Sequence, residues 1–301
     1  MTGPLLSVQN LKIEATSYPP GEPPRNVVLV EDVSFDLQKG RVLGLIGETG
    51  SGKSVLVEAL GMNLAPGLDY SVDKLLYRIG DTEIALESCS KAELQRSVWG
   101  KKLAFVLSNP RNRFNPIMTI GEQFIQILQS NLNLRENEAR REAQEMFARV
   151  KMPDPVQNML NYPHEVSGGM IQRAALAIAL SLAPKFLLAD EPTMGLDVTV
   201  QRQVLDLMED LFQQLDACVV LATRDLGIIA NYCNKIAVMH RGKIVELAEV
   251  KRFFAKPEHP YSRYLLDIAF VESNPATAGK RPSEKPPAAM HGADICDPNG
   301  A

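Results

Sequence analysis

The order of apolar and polar residues divides the chain into short buried runs and longer amphipathic stretches. Leu5–Ile13 alternates between the two, which predicts a strand with one covered face. Tyr18–Asn26 carries Pro19, Pro20, Pro23 and Pro24 and is expected to be a loop. Val27–Val30 and Val33–Leu37 read as two short strands. Val42–Ile46 reads as a buried strand bounded by Gly40 and Gly47, and Val55–Leu60 as the start of a helix. Leu75–Ile79 and Glu83–Leu86 predict a hairpin around Gly80-Asp81, and Lys102–Leu107 another buried strand that runs into a turn at Ser108-Asn109-Pro110.

The period then lengthens. Thr119–Gln129, Glu136–Val150 and the Ala-rich stretch after Ser167 are helical by spacing, so an inserted helical subdomain is expected at 111–182. Strand patterns return at Phe186–Asp190 and Cys218–Ala222. They appear again at Lys235–Met239 and Lys243–Leu247, which flank His240-Arg241-Gly242 as a hairpin. Val198–Leu215 between them is helical. Val250–Phe254 and Tyr261–Phe270 read as short helices. From Glu272 on, Pro, Ala, Gly and Ser dominate, and a disordered tail is expected over 272–301. The alternation predicts an α/β core over 5–110 and 183–255, with a helical extension at 256–271.

Between the strand ending at Ile46 and the following helix lies Gly47–Ser54, G-E-T-G-S-G-K-S. It matches G-x-x-x-x-G-K-[ST] in the strand–loop–helix context that a phosphate cradle needs. Gly47, Gly50 and Gly52 let the backbone bend so that the N–H groups of Glu48, Thr49 and Ser51 and their neighbours ring an anion, beside a helix N-terminus. Lys53 is placed to reach the β- and γ-phosphates, and the Ser54 hydroxyl to ligate Mg²⁺. A glycine-rich turn before an ordinary helix would look similar, but two later motifs argue for nucleotide chemistry. Ser167-Gly168-Gly169-Met170 opens the Ala-rich helix, with Ser167 as N-cap and two glycines that let an anion approach. Phe186–Glu191 is an apolar strand delivering two adjacent carboxylates. Asp190 suits the Mg²⁺ shell, and Glu191 suits a base that orients water against the γ-phosphate.

Composition narrows the setting. Of 301 residues, 45% are hydrophobic and 23% charged, as in ordinary globular chains. A net charge of −4 gives no sign of a nucleic-acid partner. Cys89, Cys218, Cys233 and Cys296 form no C-x-x-C pair, which argues against a zinc site or disulfide framework. No apolar run approaches the ~18 residues of a membrane span, and Met1–Asn10 lacks a signal pattern. A cytosolic protein that meets membranes only through partners is expected.

Taken together, the cradle, S-G-G and L-L-A-D-E resemble the nucleotide-binding subunit of an ATP-binding cassette (ABC) transporter over residues 5–270. P-H-E-V-S-G-G-M-I-Q-R, A-D-E-P-T-M-G-L-D-V-T-V-Q and H-P-Y-S-R-Y-L-L are similar to its peptide, nickel and opine importer branch. The resemblance implies a P-loop NTPase core with an antiparallel β subdomain and the helical insert, and ATP and Mg²⁺ as cofactors. It implies a second ATPase subunit closing face to face on two ATP molecules, and the departures at Ser108 and Arg224 favour a different chain as that partner, with a second copy left open. Each ATP would lie between one chain's cradle and the other's Ser167–Met170. Two membrane permease subunits would contact residues 111–120, and an external solute-binding protein would choose the cargo. The chain would sit on the cytoplasmic face of the membrane. Tyr18 is the nearest aromatic that could stack on adenine.

Two positions depart from the family pattern. Ser108 stands where a glutamine normally reaches the metal and water, and Arg224 where a histidine normally contacts the γ-phosphate. An arginine only donates hydrogen bonds. Slow hydrolysis at this chain's own site follows as an expectation. A non-hydrolysing regulatory subunit and a soluble cassette protein acting on DNA or ribosomes stay open as alternatives.

Overall fold

The computed structural model describes residues 3–19, 21, 23–79 and 82–273. Gly80-Asp81, Cys296 and all but the first two residues of the expected tail lie outside them. Two sheets organise the chain. The first is antiparallel: β1 (Leu6–Ser17) lies between β2 (Arg25–Leu37) and both β4 (Leu68–Ser71) and β5 (Lys74–Ile79), and β6 (Thr82–Ala85) borders β5. The second runs β11-β10-β3-β9-β8-β7, with β3 (Val42–Ile46), β7 (Leu103–Val106), β8 (Phe186–Asp190), β9 (Cys218–Ala222), β10 (Lys235–His240) and β11 (Lys243–Glu249). Every pairing in it is parallel except β10–β11.

Residues 27–37 form one continuous strand rather than two. Register shifts within the β1–β2 ladder, beside Asp32 in the left-handed region (φ 53°), absorb the break in alternation that suggested two strands. The last helix, Pro260–Ser273, runs two residues past the expected start of the tail. Strand β4 is exposed along most of its length and carried no apolar pattern that would announce it.

Burial on both faces explains the parallel sheet's apolar runs. On β8, Leu187 and Ala189 point into one core with the helices, and Phe186 and Leu188 into the other with the antiparallel sheet. Strand β9 divides the same way, Val219 and Leu221 against Cys218, Val220 and Ala222. The Tyr77 ring meets Phe186 edge-on at 4.2 Å, and its hydroxyl donates to the Leu60 carbonyl at 3.1 Å, which ties the antiparallel sheet to the helix behind the cradle.

Between β7 and β8 lie helices Ile120–Leu132, Glu136–Arg149, Pro155–Leu160 and Gly168–Ser181. Thr119 and Glu122 close a capping box on the first of these. Phe124, Leu128, Ala143 and Phe147 fill the space between the first two, and Ala174 and Ala177 let the last helix pack closely. The described residues contain no helix long and apolar enough to cross a membrane.

Candidate active site

Strand β3 is interior to its sheet, and the chain leaves its C-terminal end directly into the glycine loop. Gly52 adopts φ 101°, and a Cβ there would lie 2.8 Å from the Leu29 carbonyl oxygen, so glycine is required before the helix Lys53–Leu60. The Lys53 ammonium folds back over the loop. It donates to the carbonyls of Gly47 (2.6 Å) and Glu48 (2.9 Å). Burial lowers its pKa, partly offset by the negative charges of Glu191 and Asp190. These carbonyls occupy donors that phosphate oxygens would take. Glu48, Thr49, Gly50 and Ser54 face solvent, while Ser51 and Lys53 are buried.

Strand β8 places its acidic pair beside the lysine. Asp190 is 2% exposed, and among the described residues its Oδ1 has no hydrogen-bond partner. An orphaned buried carboxylate oxygen is unfavourable unless a cation completes it. Glu191 turns out of the strand into the left-handed region (φ 46°), its N–H donating to the Ala222 carbonyl at 2.9 Å. The residue expected to act as base therefore sits on a strained backbone. Arg224, just after β9, closes the arrangement. Its Nε lies 3.1 Å from Glu191 Oε1, and its Nη1 donates to Thr49 Oγ1 at 3.4 Å.

The loop Gly47–Ser54, Asp190, Glu191 and Arg224 thus converge on one point. Ser108 is half-buried on the turn after β7, and Asn109 beside it is in the left-handed region, φ 54°. Tyr18, 76% exposed at the end of β1, makes no described contact with the loop. Ser167–Met170 form a separate surface. Ser167 Oγ accepts the Met170 N–H at 3.3 Å, and Gly168 has open space around it. Gly169 fits so closely against the loop after Glu191 that a Cβ would fall 2.8 Å from the Gly195 carbonyl oxygen.

Two connecting residues escaped sequence reasoning. Gln172, buried in the helix after Ser167, donates to the Pro192 carbonyl at 2.8 Å and so links that helix to the segment following the base. Arg111 donates to the Val166 carbonyl at 2.7 Å, joining the turn after β7 to the same helix start. A buried polar residue within an otherwise apolar helix face was the available signal for Gln172.

A buried phosphate-loop lysine beside a strand-end Asp-Glu pair, on this mixed parallel sheet, defines an ATP-hydrolysing cassette. The chain belongs to the ABC transporter family, whose model matches residues 30–194. It is an ATP-binding subunit of the ATPase kind that couples hydrolysis to transport. It is 37% identical over 270 residues to the dipeptide transport ATP-binding protein DppD of Bacillus subtilis, covering 87% of this chain and 76% of that one. The glutathione import ATP-binding protein GsiA of Escherichia coli K12 is 38% identical over 266 residues; the match covers 88% of this chain but only 42% of GsiA. Among solved structures, the ATP-binding cassette MJ0796, a dimer in a post-hydrolysis state with ADP and Pi, superposes with a TM-score of 0.69 at 21% identity, covering 81% of this chain and 98% of that one. CbiO1 of Clostridium perfringens gives 0.62 at 22% identity, covering 91% and 100%.

Proposed function

We propose that this chain is an ATPase subunit of an importer for peptides or similar small solutes, seated peripherally on the cytoplasmic face of the membrane. It would pair with a second, different ATPase chain on two permease subunits served by an external solute-binding protein. The relation to DppD and GsiA supports the cargo class. The exposed side of the helical region supports the permease contact: Ile117 is 81% exposed on the turn preceding Ile120–Leu132, and Val156 and Leu160 are exposed on the short helix nearby.

On ATP arrival, Lys53 exchanges the Gly47 and Glu48 carbonyls for phosphate oxygens, a swap of like hydrogen bonds that gains a full opposite charge. Mg²⁺ fits beside it. The unpartnered Oδ1 of Asp190 and the exposed hydroxyl of Ser54 would hold the ion, with phosphate and water oxygens completing its shell. When bound, it neutralises charge on the phosphate oxygens. Glu191 accepts a proton from the attacking water. Ser167–Met170, on a surface separate from this chain's own loop, serve the ATP held by the partner.

The Arg224–Glu191 ion pair supports slow hydrolysis at this chain's own site. The guanidinium occupies Glu191 Oε1, where the attacking water would be held, and it cannot itself accept a hydrogen bond from water. The half-buried Ser108 has too short a side chain to supply a glutamine's reach. The test is to assemble the transporter and replace the base on each side. Replacing the partner's equivalent glutamate abolishes turnover, and Glu191→Gln here is tolerated. The reverse pattern overturns the asymmetric site while leaving the importer reading intact.

A further inference from the structure

The phosphate loop is braced from behind by two elements that the hydrolytic scheme does not use. One is the turn between β10 and β11, where the Gly242 N–H donates to the Ser51 carbonyl at 3.0 Å. The other is His259-Pro260-Tyr261, at the start of the last helix. Tyr261 is 3% exposed, and its hydroxyl accepts the N–H of Glu48 at 3.2 Å, across 213 positions of sequence. Glu48 is also the residue whose carbonyl holds Lys53. The tyrosine therefore holds the Gly47–Glu48 peptide, whose Gly47 carbonyl, like the Glu48 carbonyl next to it, grips the phosphate-binding lysine.

Tyr261 is itself firmly seated. Its ring lies on the His240 ring at 4.0 Å, and its own N–H donates to His259 Nδ1 at 3.2 Å. The buried Glu246 carboxylate on β11 accepts the N–H groups of Glu258 (3.0 Å) and His259 (2.9 Å), which fixes the turn. Burial pushes the Glu246 carboxyl up, and the hydrogen bonds it accepts outweigh this and hold it below its ordinary value.

We propose that Tyr261 is a positioning residue for ATP, holding the outer shoulder of the phosphate loop through the Glu48 amide, with Glu246 acting through it. When Lys53 turns to the phosphates, the Glu48 carbonyl keeps the Ser51 N–H at 3.2 Å but the Gly47 carbonyl gives up the lysine, and the Tyr261 contact to the Glu48 N–H is the hydrogen bond that still anchors that Gly47–Glu48 peptide. Without it the shoulder relaxes outward, and ATP binding must reorder it. The proposal rests on the ATP-binding role of the loop and goes beyond it by joining the C-terminal extension to nucleotide affinity.

The test is titration of the purified full chain with a fluorescent ATP analogue, comparing wild type, Tyr261→Phe, Glu246→Ala, the double variant and Lys53→Ala. Phenylalanine keeps the ring on His240 and removes only the hydroxyl. Affinity is expected to fall about fivefold, the effect of one ordinary hydrogen bond, with nucleotide-free thermal unfolding little changed. In the assembled transporter KM for ATP rises by the same factor and kcat stays flat. The double variant binds no more weakly than Glu246→Ala alone. Wild-type affinity in Tyr261→Phe, additive losses in the double variant, or a fall in kcat at unchanged KM overturns the proposal. Retained affinity in Lys53→Ala would instead overturn the role of the loop, and the proposal with it.

Discussion

Arg224 and Glu191 form an ion pair across the mouth of the site, 3.1 Å between Nε and Oε1, with the arginine more than half exposed. With its arginine open to solvent, the pair adds little to stability, although the Glu191 side chain is largely covered. Its consequence is chemical, because it occupies the base. Arg224→His frees the Glu191 carboxylate and supplies an acceptor for water. Turnover at this site, measured in the assembled transporter with the partner's glutamate disabled, is expected to rise about tenfold or more, within the range that one preorganised polar contact controls. ATP affinity should change far less than turnover.

The orphaned oxygen of Asp190 makes a second, separable prediction. Asp190→Asn removes a buried charge at almost constant volume. The nucleotide-free protein should become more resistant to denaturant. The gain in ATP affinity on adding Mg²⁺ should shrink by about tenfold or more, the scale of a lost charged contact. Titration of ATP with and without a chelator reads the second effect directly.

Gly169 tests the surface offered to the partner's nucleotide. A methyl group there meets the Gly195 carbonyl, so Gly169→Ala should destabilise the chain by about 1–3 kcal/mol through overpacking. Binding of ATP to this chain's own loop should be unaffected. Hydrolysis in the assembled complex should fall if, as proposed, the displaced helix start serves the opposite site.

His240 gives a pH prediction. Burial, and then the neighbouring Arg241, push its pKa below 6.5, with a smaller opposing pull from Glu48. The unfolded chain therefore takes up a proton on acidification before the folded chain does. Stability is expected to fall as pH drops from about 7 towards about 5, and to recover as pH is raised. His240→Gln should flatten that slope, as measured by urea midpoints across the range.

The cradle and the strand-end carboxylates were legible in the sequence because both are local. Gly47–Ser54 and Phe186–Glu191 each carry strand, turn and chemistry within a few residues. Continuous apolar runs made β3, β8 and β9 equally plain. Strand β4 escaped because it is short and largely exposed, and residues 27–37 were read as two strands because a break in alternation is also how a shifted register looks. Arg224 stood out as a departure from the family pattern, but its grip on Glu191 and Thr49 depends on two loops meeting in space. The contacts of Tyr261 and Gln172 were beyond reach for the same reason, since a single tyrosine or glutamine carries no spacing that names a distant backbone partner.

Strand β3 is flanked by β9 and β10, both encoded more than half a chain later. During synthesis the segment bearing the lysine loop therefore waits without neighbours on either edge until residues 218–240 have left the ribosome. A nascent chain that stops short of residue 218 lacks both flanking strands, so a finished grip on nucleotide is expected only once those strands are made.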